Sequence, residues 1–248
     1  MILDKIVKQK WKDIQSIIIP PHTDIKPSDR DFLKAITKLG LNVIGEVKKM
    51  SPSTGVLTHD YHPEQKAVQY EAGGASAISV LTDTPFFGGH MSDLTKVRQS
   101  LSLPVLCKDF IIDERQIIAA RLAGADAVLL IMRILSVSES LKLKEKIESL
   151  NMLALIEIFN EEDLKKAMEI NPKVIMFNHR DLNTLDMHFD TDNLINLIPD
   201  HVQLVAASGI THPKEVLRFN SRINAILIGT ALMKSNNPKQ FIEEILRK

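Results

Sequence analysis

The chain has 248 residues, 44% hydrophobic and 25% charged, the make-up of a soluble globular protein able to bury a substantial core. Its 31 basic and 31 acidic side chains cancel, so no net field draws it to nucleic acid or to an anionic membrane, although a local basic cluster could hold a small anion. The single cysteine, Cys107, excludes an intrachain disulfide and a cysteine-based zinc site.

The first segment, ILDKIVKQKWKDIQ, alternates charged with apolar positions and lacks the unbroken apolar core of a signal peptide. No run approaches the roughly 20 apolar residues of a membrane-spanning helix, and a reducing cytoplasm is the expected location. Together with SDRDFLKAITKLG, this segment predicts an amphipathic helical extension over residues 1–41. From residue 42 onward short apolar runs recur: NVIGEV at 42, AISVL at 77, LPVLC at 103, AVLLIM at 127, LALIEI at 153, VIMFN at 174, VQLVAA at 202 and AILIG at 225. Each is apolar on both parities, as a strand covered on both faces should be.

Segments of helical spacing lie between them. PEQKAVQYEAGG ends in a glycine pair suited to a helix C-terminus. DERQIIAARLAGA opens on an acidic cap and closes at Gly124, and NEEDLKKAMEI places Asn160 at a cap. KEKIESL reads as a solvated helix face, and HPKEVLRF sets Pro213 in a first turn, where its missing N–H costs nothing. Eight such units in a chain of this length have the dimensions of a (βα)8 TIM barrel, one domain over residues 1–248. An open doubly wound sheet also alternates strands and helices, but no GxGxxG turn follows the first strand, which weakens its dinucleotide-binding form.

In a parallel barrel, alternate residues point inward and chemistry occupies the C-terminal strand ends. The first strand ends with Glu46 and Lys48 on the parity of Ile44, the third with Lys108, the fifth with Glu157 and the sixth with Asn178 and Arg180. Any one of these could be a surface charge. Four strands ending alike would gather acids and bases at one mouth, where pairing offsets burial and shifts pKa values as acid–base chemistry requires. Cys107 has the opposite parity and should pack against the helical ring rather than act as a nucleophile. His59 and His62 lack further ligand spacing and read as loop histidines, and His179 falls between inward positions; no metal site is expected. AASGI (206–210) and LIGTAL (227–232) end the last two strands in small residues, where a phosphate commonly sits in barrels; tight turns needing glycine are the alternative. Phe86, Phe87 and Phe110 follow strands two and three, suiting either an aromatic part of a ligand or packing beneath the loops.

GEVKKMSPSTG, FFGGHMSDLTKVR, LPVLCKDFIID, AGADAVLLI, LIEI, FNHRDL and IGTALM resemble, in order and over nearly the whole chain, the signatures of the indole-3-glycerol phosphate synthase family. The resemblance implies cofactor-free closure of 1-(2-carboxyphenylamino)-1-deoxyribulose 5-phosphate to an indole, with loss of CO2 and water, in tryptophan biosynthesis. It also implies Lys108 as general acid, Lys48 holding substrate anions and assisting dehydration, Glu157 handling protons, and Glu46 orienting the lysines or removing a proton. Asn178, Arg180 and Ser51 would orient the substrate, Ser208, Gly209, Gly229 and Thr230 would take its phosphate, and Phe87 and Phe110 would wall its ring. ILDKIVKQK and RDFLKAI resemble the family's helical extension, which implies that residues 1–41 cover the mouth of the site. The only partner expected is this small phosphorylated substrate, with a monomer or weak homo-oligomer as the state of the chain. Related phosphate barrels, such as phosphoribosylanthranilate isomerase or the tryptophan synthase α subunit, rely on other residue sets. Two positions depart from the family: Thr54 stands where lysine is common, and Ala207 where glutamate is usual. The second departure implies an alternative, a barrel that binds the phosphorylated ligand with weakened or lost catalysis.

Overall fold

A computed structural model describes residues 2–181, 184, 186, 187 and 192–247, with the side chain of Asp192 excepted. Met1, Lys248 and Leu182 at the end of FNHRDL lie outside the described residues. Eight parallel strands close into a barrel in sequence order: β1 Asn42–Val47, β2 Ala77–Leu81, β3 Val105–Lys108, β4 Ala127–Ile131, β5 Leu153–Ile158, β6 Val174–Asn178, β7 Gln203–Ala207 and β8 Ile223–Ile228. Closure comes from β1, which pairs with β2 on one side and β8 on the other.

The two parities separate two cores. Ile44, Leu106, Leu129, Leu155, Met176, Val205 and Leu227 fill the barrel, while Val43, Val80, Cys107, Leu130, Ile156, Phe177 and Ile226 pack under the helical ring. Branched apolar residues on both faces are what a doubly covered strand requires. Cys107 therefore faces the ring, and burial pushes its thiol up to about 12, which removes it from nucleophilic chemistry at neutral pH.

The connecting helices begin and end where their caps dictate. Asp113 caps Glu114–Ala123 in a reciprocal box with Gln116, and Gly124, at φ 104°, closes it in the left-handed region that glycine tolerates. Asn160 caps Glu161–Glu169 through Asp163 N–H. KEKIESL is solvated on one side only, because Ile147 and Leu150 turn into the core. Pro213–Arg218 is a 3-10 helix rather than a full α-helix, since Phe219 is already extended and β8 begins at Ile223. Among the described residues, no helix is long and apolar enough to cross a membrane.

Helix α1 (Ile2–Asp13) buries Leu3, Ile6 and Lys10. Leu3 and Ile6 join the interior cluster beside Phe110, so the helix lies over the end of the barrel where the strands finish. A short second helix, Phe32–Ile36, contributes Phe32 and Ile36 to the same interior and leads into β1.

Candidate active site

The thirteen residues to which the family resemblance gives a catalytic or binding role all line one cavity of about 330 Å³ at the C-terminal strand ends. That size suits a small organic ligand. Parallel register sets the floor: Lys108 lies beside Leu81, Glu157 beside Ile131, and Ala207 between Asn178 and Leu227. Above it, Met50–Ser51 and Gly55–Val56 form a small antiparallel hairpin after β1. Ser51 is buried and its hydroxyl lies 2.7 Å from that of Thr54, so both stand on the cavity wall.

Two cation–carboxylate pairs face each other across the floor. Lys48 Nζ is 2.8 Å from Glu46 Oε1, and Lys108 Nζ is 3.9 Å from Glu157 Oε2. Both carboxylates are buried, but their environments pull them apart. Burial alone would raise the pKa of Glu46, yet Lys48 and Lys108 outweigh it and hold this carboxyl below the usual range. At Glu157 burial prevails over Lys108 and over a hydrogen bond from Asn178, and the nearby Glu46 charge adds to the rise. Its Oε2 also lacks a hydrogen-bond partner. The two carboxylates are thus displaced in opposite directions, Glu46 toward its ionised form and Glu157 toward its protonated one.

A polar chain continues from Glu157. Asn178 Oδ1 accepts from the Ser208 hydroxyl at 2.8 Å and from Arg180 N–H at 3.2 Å. Ser208 has φ 74° and Gly209 φ 80°, so the chain after β7 curls in two left-handed steps that aim backbone toward the cavity. Gly229 has ordinary negative φ, and its requirement is space. A β-carbon there would overlap Glu46 Oε1 and lie 2.9 Å from Lys48 Nζ. Sequence reasoning assigned Gly229 to phosphate binding; the structure adds that it makes room for the ion pair.

On the opposite wall the rings of Phe87 and Phe110 stand 6.0 Å apart at 36°. Phe87 ends the helix Thr84–Phe87, which Asp83 caps through Phe86 N–H and Gly88 terminates at φ 66°. Phe86 packs against the interior cluster instead of the cavity. His179 is buried away from the cavity, its Nδ1 2.9 Å from Ala207 O and its ring against Phe219. His62 pairs with Asp60 in an exposed loop, and no cluster of metal-binding side chains occurs among the described residues.

Sequence reasoning missed Ile2 and Ile6, which α1 adds to the cavity wall, and Lys234 at its edge. Helical periodicity identifies the apolar face of α1, and the family resemblance expects the extension over the mouth, but neither names the side chains that reach the cavity.

A closed parallel barrel whose C-terminal mouth carries lysines, carboxylates and the small-residue ends of β7 and β8 has the form of the (βα)8 enzymes that act on small molecules. The family model for indole-3-glycerol phosphate synthase matches residues 3–245, and the chain belongs to that family. It is 41% identical over 246 residues to the indole-3-glycerol phosphate synthase of Chloroherpeton thalassium, covering 94% of this chain and 95% of that one. It is 42% identical over 222 residues to the Aquifex aeolicus protein of the same name, covering 87% and 85%. Solved structures share the fold at low identity. A 3-hexulose-6-phosphate synthase superposes with TM-score 0.64 at 16% identity, over 83% of this chain and 98% of that one. A thiamine phosphate pyrophosphorylase from Pyrococcus furiosus gives 0.60 at 15%, over 86% and 96%.

Proposed function

We propose that this chain converts 1-(2-carboxyphenylamino)-1-deoxyribulose 5-phosphate to indole-3-glycerol phosphate, CO2 and water, with the cavity residues in the following roles. The carboxylate-bearing ring carbon attacks the ketone carbon, and the carbonyl electrons pass to its oxygen. Lys108 donates a proton there, because an ammonium on the cavity floor stabilises an oxygen gaining charge. Loss of CO2 returns the bonding electrons to the ring and restores its aromaticity. The new hydroxyl then departs as water and a proton leaves the adjacent carbon, completing the pyrrole. Glu157, with its raised pKa, exchanges protons beside Lys108. Glu46 stays ionised and keeps Lys48 in place to hold the substrate carboxylate and assist dehydration.

Backbone at Ser208, Gly209, Gly229 and Thr230 takes the phosphate, while Asn178, Arg180 and Ser51 orient the substrate. Phe87 and Phe110 flank the aromatic ring. The reaction exchanges no electrons with an external partner and needs no cofactor, and one chain supplies every group named. A single buried cysteine suits a cytoplasmic location.

The observation that carries this reading is the convergence of Lys48, Lys108, Glu46 and Glu157 on a cavity that also holds the aromatic slot and the small-residue ends of β7 and β8. Purified protein mixed with the synthetic substrate should develop indole fluorescence. No product at high enzyme concentration would reject the assignment.

A further inference from the structure

Lys10 is the one buried lysine in a run of three along α1; Lys8 and Lys12 are exposed. It occupies the apolar stripe of the helix with Leu3, Ile6 and Ile14. An ammonium on such a stripe is costly unless it meets counter-charges. Here it meets two: Lys10 Nζ lies 2.7 Å from Asp83 Oδ1 and 2.7 Å from Asp109 Oδ1.

Both carboxylates are already committed to the aromatic slot. Asp83 Oδ2 accepts from Phe86 N–H at 2.9 Å and so caps the turn that carries Phe87. Asp109 Oδ1 accepts from Phe110 N–H at 2.7 Å, and its Oδ2 accepts from the Thr82 hydroxyl at 2.7 Å. Asp109 also directly follows Lys108. One ammonium therefore joins three elements: the helix supplying Ile2 and Ile6, the loop supplying Phe87, and the strand end supplying Lys108 and Phe110.

We propose that Lys10 is a positioning residue of the active site, an electrostatic clasp that seats α1 over the cavity and fixes the spacing of the Phe87 and Phe110 rings. Burial alone would lower the Lys10 pKa, but Asp109 and Asp83 raise it, so the clasp holds its charge. Without Lys10, Asp109 keeps both hydrogen bonds, whereas Asp83, whose carboxyl is already held above the usual range by burial even beside Lys10, must either bury its Oδ1 charge without a partner or take up a proton. The weak point is thus Asp83, and relief should come from neutralising it.

The proposal rests on the function above, and its test separates the two. In Lys10→Met the KM for the carboxyphenylamino-deoxyribulose phosphate should rise at least about tenfold, with kcat within about threefold, because the wall binds the ring and does no chemistry. The double variant Lys10→Met/Asp83→Asn should recover much of that loss, since asparagine keeps the cap on Phe86 N–H and removes the stranded charge. Trp11, the chain's single tryptophan, is half-exposed on α1 and gives a readout without substrate. Its acrylamide quenching should increase in Lys10→Met and fall back in the double variant.

A KM within twofold of the parent in Lys10→Met would overturn the clasp. So would a raised KM that the double variant leaves untouched, which would make Lys10 a packing element only. If Lys10→Met does not fold, Asp83→Asn alone, which halves the clasp and keeps the cap, should give a smaller rise in KM; an unchanged KM there also overturns the idea. A parent protein without turnover would refute the function, while Trp11 quenching would still decide the clasp.

Discussion

Replacing Gly229 by alanine adds one carbon at the point where β8 turns toward Thr230. The backbone there has φ −117°, open to any residue, so the substitution carries no left-handed strain. What it meets is the ion pair. The new carbon would overlap Glu46 Oε1 and sit 2.9 Å from Lys48 Nζ and 3.0 Å from Glu46 Cδ. Restoring van der Waals distance requires these atoms to retreat by about 1 Å. Glu46 is buried and cannot swing into solvent, so the displacement passes to Lys48. Misplacing a catalytic group by about 1 Å costs on the order of 100-fold in rate, or about 2.7 kcal/mol of transition-state stabilisation. Gly45→Ala is the control: its β-carbon would come 2.5 Å from the ring of buried Tyr70, outside the cavity, and should lower the melting temperature. The assay is product fluorescence under saturating and limiting substrate, alongside thermal melts of both variants. Turnover of Gly229→Ala within twofold of the parent would refute the idea that this glycine exists to admit the Glu46–Lys48 pair.

Three further outcomes are expected. Lys108→Ala should lose about 10²–10⁴ in kcat while still binding the product indole-3-glycerol phosphate, as removal of a general acid does; near-normal kcat, measured by the same fluorescence, would take Lys108 out of that role. Glu157→Gln should abolish most turnover yet stabilise the fold at neutral pH. Because the folded pKa of Glu157 is raised, the unfolded chain releases this proton first as pH climbs, and stability is lost as pH rises through the folded pKa. The gain in melting temperature should therefore vanish below the unfolded carboxylate range, and an equal gain at low pH would contradict the linkage. Ala207→Glu places a carboxylate into the cavity between Asn178 and Leu227, where the family commonly carries one, and should raise kcat/KM in steady-state assays; unchanged kinetics would show that this chain works without it.

The charged floor of the cavity was legible in the sequence because strand parity is rigid. Once β1 is a strand, Ile44, Glu46 and Lys48 share a side, and the same rule sends Lys108 inward and Cys107 outward. The phosphate-binding reading of Gly229 came from composition, which marks small residues but not the atoms they admit. Its closeness to Glu46 depends on the pairing of β1 with β8, made across nearly the whole chain. Lys10 was harder still. KQKWK looks like a solvated run, and the signal was its register: Lys10 falls on the stripe of Leu3, Ile6 and Ile14. Even so, periodicity names a face without naming the two aspartates it meets. HPKEVLRF after β7 has the spacing of a helix, yet it forms a 3-10 segment because β8 follows so soon.

A crystal structure with indole-3-glycerol phosphate bound tests the central claim most directly. The expected map shows the phosphate on backbone N–H groups at Ser208–Gly209 and Gly229–Thr230, the indole between Phe87 and Phe110, and Lys48 and Lys108 at its reacting edge. A product lying outside this mouth, or a phosphate held far from the ends of β7 and β8, would contradict it.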